Sequence, residues 1–413
     1  MQFLLSAGEA SGDTYGSQLI ESLRQLAAGS AFFGMGGEKM RASGAELLVN
    51  ASEVAVVGLV EVVTHLPAIR RRFKHLVAEA ARRKPDAAIL IDFPDFNLRL
   101  ARELHRLGIP VFYFVSPQIW AWRTGRVQQI KKYVCKMIVI FPFEQEFYRR
   151  HGVEVSYVGH PLAYAPPPQI SREEFAATHH LDPKKQWIAL LPGSRRKEVR
   201  LNLPPMIEAA RLLQNQSSEL EFLLPVASTL SKDWLREQLA LLIAGWSRPS
   251  GPSVPEQRSP NTGWSRPSGL RSEPLKNPAL AAAEVKAEGT LIHLTDNARA
   301  TFMHSRAAVV ASGTATVEAA LSGTPFIVVY RLAPLTWLLG RRLVKLDTFA
   351  MPNLIAGKKI VTELIQKDFT AQNVVRELNS IIPDGPARRQ MEAALKMVQQ
   401  RLHDTQDAEP PAH

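Results

Sequence analysis

The strongest constraint on the fold is a rhythm that runs through the chain twice. Short apolar runs at Phe3–Ser6, Ala31–Gly34, Ala87–Asp92, Val111–Val115, Lys136–Phe141 and Val155–Val158 read as strands. Between them, polar-faced stretches read as helices over Gly16–Gln25, Val62–Arg82, Leu98–Leu107, Arg123–Tyr133 and Glu144–Arg150. This alternation predicts a parallel sheet with helices on both faces, because parallel neighbours need a crossover long enough to form a helix. Pro161-Leu-Ala-Tyr-Ala-Pro-Pro-Pro168 interrupts the rhythm as a linker. It then resumes, with strands expected at Trp187–Leu191, Glu221–Pro225, Leu291–Leu294, Ala307–Ala311 and Phe326–Tyr330. The expected architecture is α/β: two Rossmann-like doubly wound domains, residues 1–165 and 170–372, facing a cleft, followed by C-terminal helices and a frayed tail over 373–413. One stretch breaks the pattern. GWSRPSG occurs at Gly245–Gly251 and again at Gly263–Gly269, in a Pro/Ser/Arg-rich tract, and residues 245–278 are expected to form a disordered insertion in the second domain.

Composition narrows the class. Over 413 residues, 46% are hydrophobic and 22% charged, as in a soluble globular protein. No apolar run approaches about 18 residues, so no transmembrane helix is expected. The N-terminus enters a strand directly, without the basic segment and cleavage site of a signal peptide. The single cysteine, Cys135, excludes an internal disulfide, suits a reducing cytoplasm, and reads as a buried thiol at a strand entrance. Lys and Arg number 50 against 39 acids, a formal charge of +11, which favours nucleic acid, an anionic membrane or anionic substrates. Arg70-Arg71-Arg72 and Lys74 follow the apolar Val56–Val63 and Leu66, and Arg341-Arg342 follow Leu335, Trp337, Leu338 and Leu339. Cations beside apolar residues suit a membrane interface, and no basic pattern interleaved with aromatics points to nucleic acid. The bland alternative is helix packing with a solvated cationic face.

Six stretches could carry chemistry. LLPGSRRKEV, Leu190–Val199, runs from a strand into a helix; Gly193 and Ser194 allow backbone N–H groups to approach an anion, and Arg195 can fork onto a pyrophosphate. In VVASGTATVEAALSGTP, the small-residue turn Ser312-Gly313-Thr314-Ala315 opens a helix and suits a diphosphate, with Glu318 one turn on to accept ribose hydroxyls. A simple capping box is the alternative there. ILIDFPDFNLRLA places Asp92 at the carboxyl end of a strand, the general-base candidate, while Asp95 and Asn97 read as caps of the next helix. In FVSPQIWAWRTGR, Trp120 and Trp122 beside Arg123 and Arg126 suit sugar stacking and phosphate binding, although Trp is also a common core filler. MPNLIAG, Met351–Gly357, reads as a loop from which Asn353 can reach the cleft. No metal-ligand set is visible. SAGEASGDTYG, Ser6–Gly16, has the outline of a nucleotide loop but carries Glu9, an acid, where a phosphate cradle presents N–H groups or Lys.

SAGEASGD, GMGGEKM, IDFPDFN, VSPQIWAWR, FPFEQEFY, VGHPL, LLPGSR, SGTATVE and MPNLIAG, in this order over roughly residues 1–370, resemble the lipid-A-disaccharide synthase family. The resemblance implies a GT-B glycosyltransferase fold with the donor nucleotide held mainly by the second domain. It implies an inverting transfer from UDP-2,3-diacylglucosamine to 2,3-diacylglucosamine 1-phosphate (lipid X), giving the β(1→6) disaccharide 1-phosphate and UDP. Asp92 matches the family's base, Arg195 its pyrophosphate Arg and Asn353 an important Asn, while Ser312–Ala315 and Glu318 match the uridine-diphosphate site. Glu9 and Ser11 then line the acceptor side. No cofactor, metal or nucleic acid is implied; an anionic inner-membrane surface on the cytoplasmic side is, and a homodimer is left open. Another GT-B transferase or a UDP-sugar epimerase would share the nucleotide mouth.

Overall fold

The computed structural model describes residues 1–54, 59–122, 124–244, 285–287, 290–332 and 348–403. The expected insertion 245–278, Val56–Gly58, Arg123, the Leu335–Arg342 cluster and the tail 407–413 lie outside them. The chain divides into two compact units, Met1–Pro166 with Ala333–Ile360 and Ala393–His413, and Pro167–Leu332 with Val361–Glu392. The segment after 373 is therefore shared: the helix Ala371–Ile381 belongs to the second unit, while Pro386–His403 begins in the second and ends in the first.

The first unit holds β1 (Gln2–Ala7), β2 (Ala31–Gly36), β3 (Glu46–Asn50), β4 (Ala87–Ile91), β5 (Val111–Phe114), β6 (Lys136–Val139) and β7 (Val155–Tyr157). They form one parallel sheet in the order β3-β2-β1-β4-β5-β6-β7. The centre is apolar on both faces; every residue of Ala87–Ile91 is buried, as in a strand covered by helices on each side. The second unit holds β8 (Gln186–Leu191), β9 (Leu220–Pro225), β10 (Val285–Ala287), β11 (Thr290–Thr295), β12 (Ala307–Ala311), β13 (Phe326–Tyr330) and β14 (Glu363–Ile365). Their order is β10-β11-β9-β8-β12-β13-β14, parallel except for β10 against β11. Both sheets are doubly wound, as expected.

Three strands escape the sequence rhythm: β3, β10 and β14. β3 and β14 sit at sheet edges, where partial exposure breaks the apolar run, and among the described residues β10 pairs only with β11. Several helices start earlier than expected, most of all at Ala10 instead of Gly16 and at Pro94 instead of Leu98. Gly12 and Gly16, which look like turn residues, are contact points inside a helix. A Cβ on Gly16 would lie 2.6 Å from the sulfur of Met40 on the helix Glu38–Ala42, and one on Gly12 3.3 Å from the Ala7 Cβ on β1, so glycine lets the helix lie close on both neighbours. Residues 351–356 form a short helix, with Pro352 in its first turn, where a loop was expected. Cys135 is exposed; Val134 takes the buried position beside it.

Candidate active site

In the first unit the order β2-β1-β4 reverses the winding direction between β1 and β4, which are paired with Ala7 opposite Ile91. Parallel α/β sheets bind ligands at the carboxyl edge of such a reversal. The two loops leaving these strands carry Glu9 and Asp92. They pack tightly: a Cβ on Gly8 would fall 2.2 Å from the Phe93 ring, so only glycine permits this approach. The backbone there is held in left-handed conformations without glycine, with φ of 45° at Asp92, 51° at Phe93 and 62° at Val115. Each costs on the order of 1–3 kcal/mol and persists only where neighbours enforce it. The neighbours are Asn97 and Tyr113. Asn97 Nδ2 donates to the carbonyls of Asp92 (2.8 Å), Ser6 (3.1 Å) and Ile91 (3.2 Å), and Tyr113 OH donates to the Asp92 carbonyl at 2.6 Å. Ser6 Oγ donates to Asn97 Oδ1 at 2.7 Å. Asn97 thus braces the turn and does not cap the helix. The N-cap position itself is taken by Phe93, and the Asp95 carboxylate pairs with Arg126.

The Asp92 carboxyl, half-buried on this turn, is pushed up to about 6, first by burial and then by the charge of Glu9. Glu9 is exposed and occupies the N-cap position of Ala10–Leu26 without making a side-chain cap bond, and Ser11 is exposed in the first turn. Asp13, two residues on, is consumed structurally: it accepts from the N–H groups of Gly37 (2.7 Å), Lys39 (3.1 Å) and Met40 (3.1 Å). Asn353 is buried, and its Oδ1 accepts from Ile360 N at 2.7 Å. Trp122 ends the short helix Ile119–Trp122.

In the second unit, β8 and β12 are the pair at which the winding reverses, with Leu191 opposite Val310. Both expected mouths leave this pair. After β8, Gly193 (φ 124°) turns the chain into the helix Arg196–Gln216. Sequence reasoning missed the occupant of this turn. Glu198 Oε2 accepts from the N–H groups of Ser194 (3.2 Å) and Arg195 (3.3 Å), while Oε1 takes Arg195 Nη1 at 3.1 Å. A carboxylate therefore sits where the backbone and guanidinium donors converge. Its spacing as the third helical residue was the available signal. After β12, the turn Ser312-Gly313-Thr314 leads into Ala315–Ser322; Gly313 has φ 152° and Thr314 makes no side-chain cap bond. Thr316 Oγ1 donates to the Gly313 carbonyl at 2.6 Å. The capping box offered as the alternative for Glu318 is absent here. Glu318 is half-buried, and burial raises its carboxyl while Arg299 opposes the shift.

A model of the family described as lipid-A-disaccharide synthetase matches residues 3–243 and 276–410. A lipid-A-disaccharide synthase of Koribacter versatilis is 49% identical over 97% of this chain and 93% of its own length. That of Geobacter sulfurreducens is 37% identical, again over 97% and 93%. Among solved structures, the UDP-GlcNAc 2-epimerase of Neisseria meningitidis bound to UDP-GlcNAc superposes with a TM-score of 0.58 at 11% identity, covering 96% of this chain and 98% of that one. The calicheamicin glycosyltransferase CalG4 gives 0.53 at 13% identity, over 98% and 94%. At such identities these two speak for the shared fold of GT-B glycosyltransferases and epimerases alone. The sequence matches carry more: the chain belongs to the lipid-A-disaccharide synthetase family.

Proposed function

We propose that the protein transfers 2,3-diacylglucosamine from its UDP donor to the 6-hydroxyl of 2,3-diacylglucosamine 1-phosphate (lipid X), with inversion, in lipid A biosynthesis. The observation that carries this reading, beside family membership, is Asp92: a carboxyl at the winding reversal of its sheet with a pKa of about 6. A base poised near neutrality is what removal of an alcohol proton requires. Asp92 takes the 6-hydroxyl proton as that oxygen attacks the anomeric carbon from the face opposite UDP. The bond from that carbon to the diphosphate oxygen breaks, and UDP leaves with the electron pair. An α-linked donor then yields the β linkage in one displacement, without a covalent enzyme intermediate. Once the diphosphate displaces the Glu198 carboxylate, Arg195 with the Ser194 and Arg195 N–H groups, and the Ser312–Ala315 turn, receive the charge that develops on UDP. Glu318 takes ribose hydroxyls, Glu9 and Ser11 line the acceptor side, and Trp122 and Arg123 bind sugar and phosphate. Asn353 supports the reading indirectly, by holding the segment up to Ile360 in shape.

Both substrates carry acyl chains, so the enzyme works peripherally at the anionic inner membrane on the cytoplasmic side. No helix of the described residues is long and apolar enough to cross a membrane. The helix Leu59–Arg83 exposes Leu66, Pro67, Ala68, Arg70, Arg71, Lys74 and His75, while Phe73, Leu76, Val77 and Ala80 pack into the core. Arg72 is engaged by Glu53 at 2.6 Å, leaving Arg70, Arg71 and Lys74 as the docking cations.

The test is whether UDP release from UDP-2,3-diacylglucosamine requires the acceptor. Release only when lipid X is added, with a β(1→6) product, is expected. Release at the same rate without acceptor would replace the transferase reading with an epimerase or hydrolase.

A further inference from the structure

Three motifs that the reaction above leaves largely unused, VSPQIWAWR, FPFEQEFY and VGHPL, meet in one buried cluster of the first unit. Its centre is Glu144, 1% exposed. Glu144 Oε1 accepts from Trp120 Nε1 at 3.1 Å and Oε2 from the Phe141 N–H at 3.3 Å. Ser116 Oγ lies 2.8 Å from Tyr148 OH. Around the carboxyl runs a ladder of rings. Trp120 stands edge-on to Phe143 (4.9 Å), Phe143 stacks on Phe141 (5.6 Å), and Phe141 packs on the His160 ring (5.2 Å). Burial, with the negative charge of Asp92 adding to it, pushes the Glu144 carboxyl up to about 8. An ordinary helix cap accounts for only one of these bonds, that to Phe141. The other oxygen is spent on an indole whose ring stays half-buried, with Phe143, at the surface.

We propose that Glu144 is a positioning residue: by holding the Trp120 indole it fixes the Trp120–Phe143 pair as an aromatic wall against which the acylated amino-sugar acceptor packs. Flat aromatic faces suit both sugar C–H groups and acyl chains, and they gain affinity when they need not be ordered on binding. The inference rests on the reading of the first unit as the acceptor side.

Steady-state kinetics of Glu144→Leu, Glu144→Gln and Trp120→Phe, with lipid X and the UDP donor varied separately, test it. Glu144→Leu and Trp120→Phe should each raise the acceptor KM by about tenfold, the size of one lost buried hydrogen bond, while the donor KM stays within about twofold. Glu144→Gln keeps one oxygen for the indole and gives up only the bond to the Phe141 N–H, so it should recover most of the acceptor affinity. The double variant Glu144→Leu/Trp120→Phe should be no worse than either single change, because both break one bond. An unchanged acceptor KM in Trp120→Phe, a donor KM that rises equally, or additive losses would overturn the proposal. Trp120→Phe leaves the carboxyl and its cap bond in place, so it decides the matter even if Glu144→Leu does not fold. Full turnover in Asp92→Asn would instead remove the acceptor-side reading; an inactive Asp92→Asn with unmoved acceptor KM values in the other variants would remove this inference alone.

Discussion

Glu9 stands close enough to Asp92 for its negative charge to add to burial in raising the Asp92 carboxyl to about 6. A general base works ionised, so if Asp92 has the proposed role turnover should fall as pH drops through that value and level off above it. Glu9→Gln removes the repulsion, lowers the Asp92 pKa and should move the acid limb of kcat/KM to lower pH. An inflection that stays put or moves upward in the pH profile would show that Glu9 does not act on the base.

Asp92→Asn keeps the size of the side chain and removes its basicity. It should lower kcat by about 10²–10⁴-fold, the usual cost of losing a general base, on the order of 3–5 kcal/mol. UDP affinity, measured by titration calorimetry, should remain near that of the parent enzyme, since the proposed donor turns at Gly193–Arg195 and Ser312–Ala315 lie in the other unit.

Arg195→Ala removes a charged donor from the mouth that Glu198 now fills. UDP binding should weaken by about 10–100-fold, the range for one charge-assisted hydrogen bond, and turnover should fall as well. The charge acts in both the ground state and the transition state, so a change confined to kcat would contradict the assignment.

Asn97→Ala leaves the buried carbonyls of Ser6 and Ile91, and the carbonyl of Asp92, without the amide that joins them. Denaturant unfolding should show a loss of about 2–4 kcal/mol. Turnover should fall beyond what the stability loss explains, because the left-handed turn at Asp92 loses a brace. A variant of parental stability and activity would mean that Tyr113 alone holds the turn.

Reversing Arg70, Arg71 and Lys74 to Glu should abolish sedimentation with anionic vesicles at physiological salt without unfolding the protein. Each interfacial cation contributes about 1 kcal/mol, so three give reversible docking. Arg72 is left in place because its partner Glu53 would otherwise face a second carboxylate. Full sedimentation of the triple variant would place the docking surface elsewhere.

The central strands of both sheets were legible because a parallel strand buried on both faces is apolar at every position, as Ala87–Ile91 is. The same local pattern located Asp92, which follows directly on that run, and the turns at Gly193 and Gly313, where a strand hands over to a helix. Edge strands such as Glu363–Ile365 were not legible, since exposure on one side dilutes the signal. Everything decided by contact between distant segments was also out of reach. Gly8 is glycine because of Phe93, and Asp13 is spent on Gly37, Lys39 and Met40. Asn97, expected to cap the next helix, braces the preceding strands, and Glu144 answers to Trp120. Local periodicity alone determined the doubly wound sheets and the positions of their carboxyl-end turns, because it reports which faces of each element must leave water. Only the tertiary structure decided which polar side chains brace those turns, because a buried donor takes whichever acceptor packing brings within about 3 Å, however far apart the two lie in sequence.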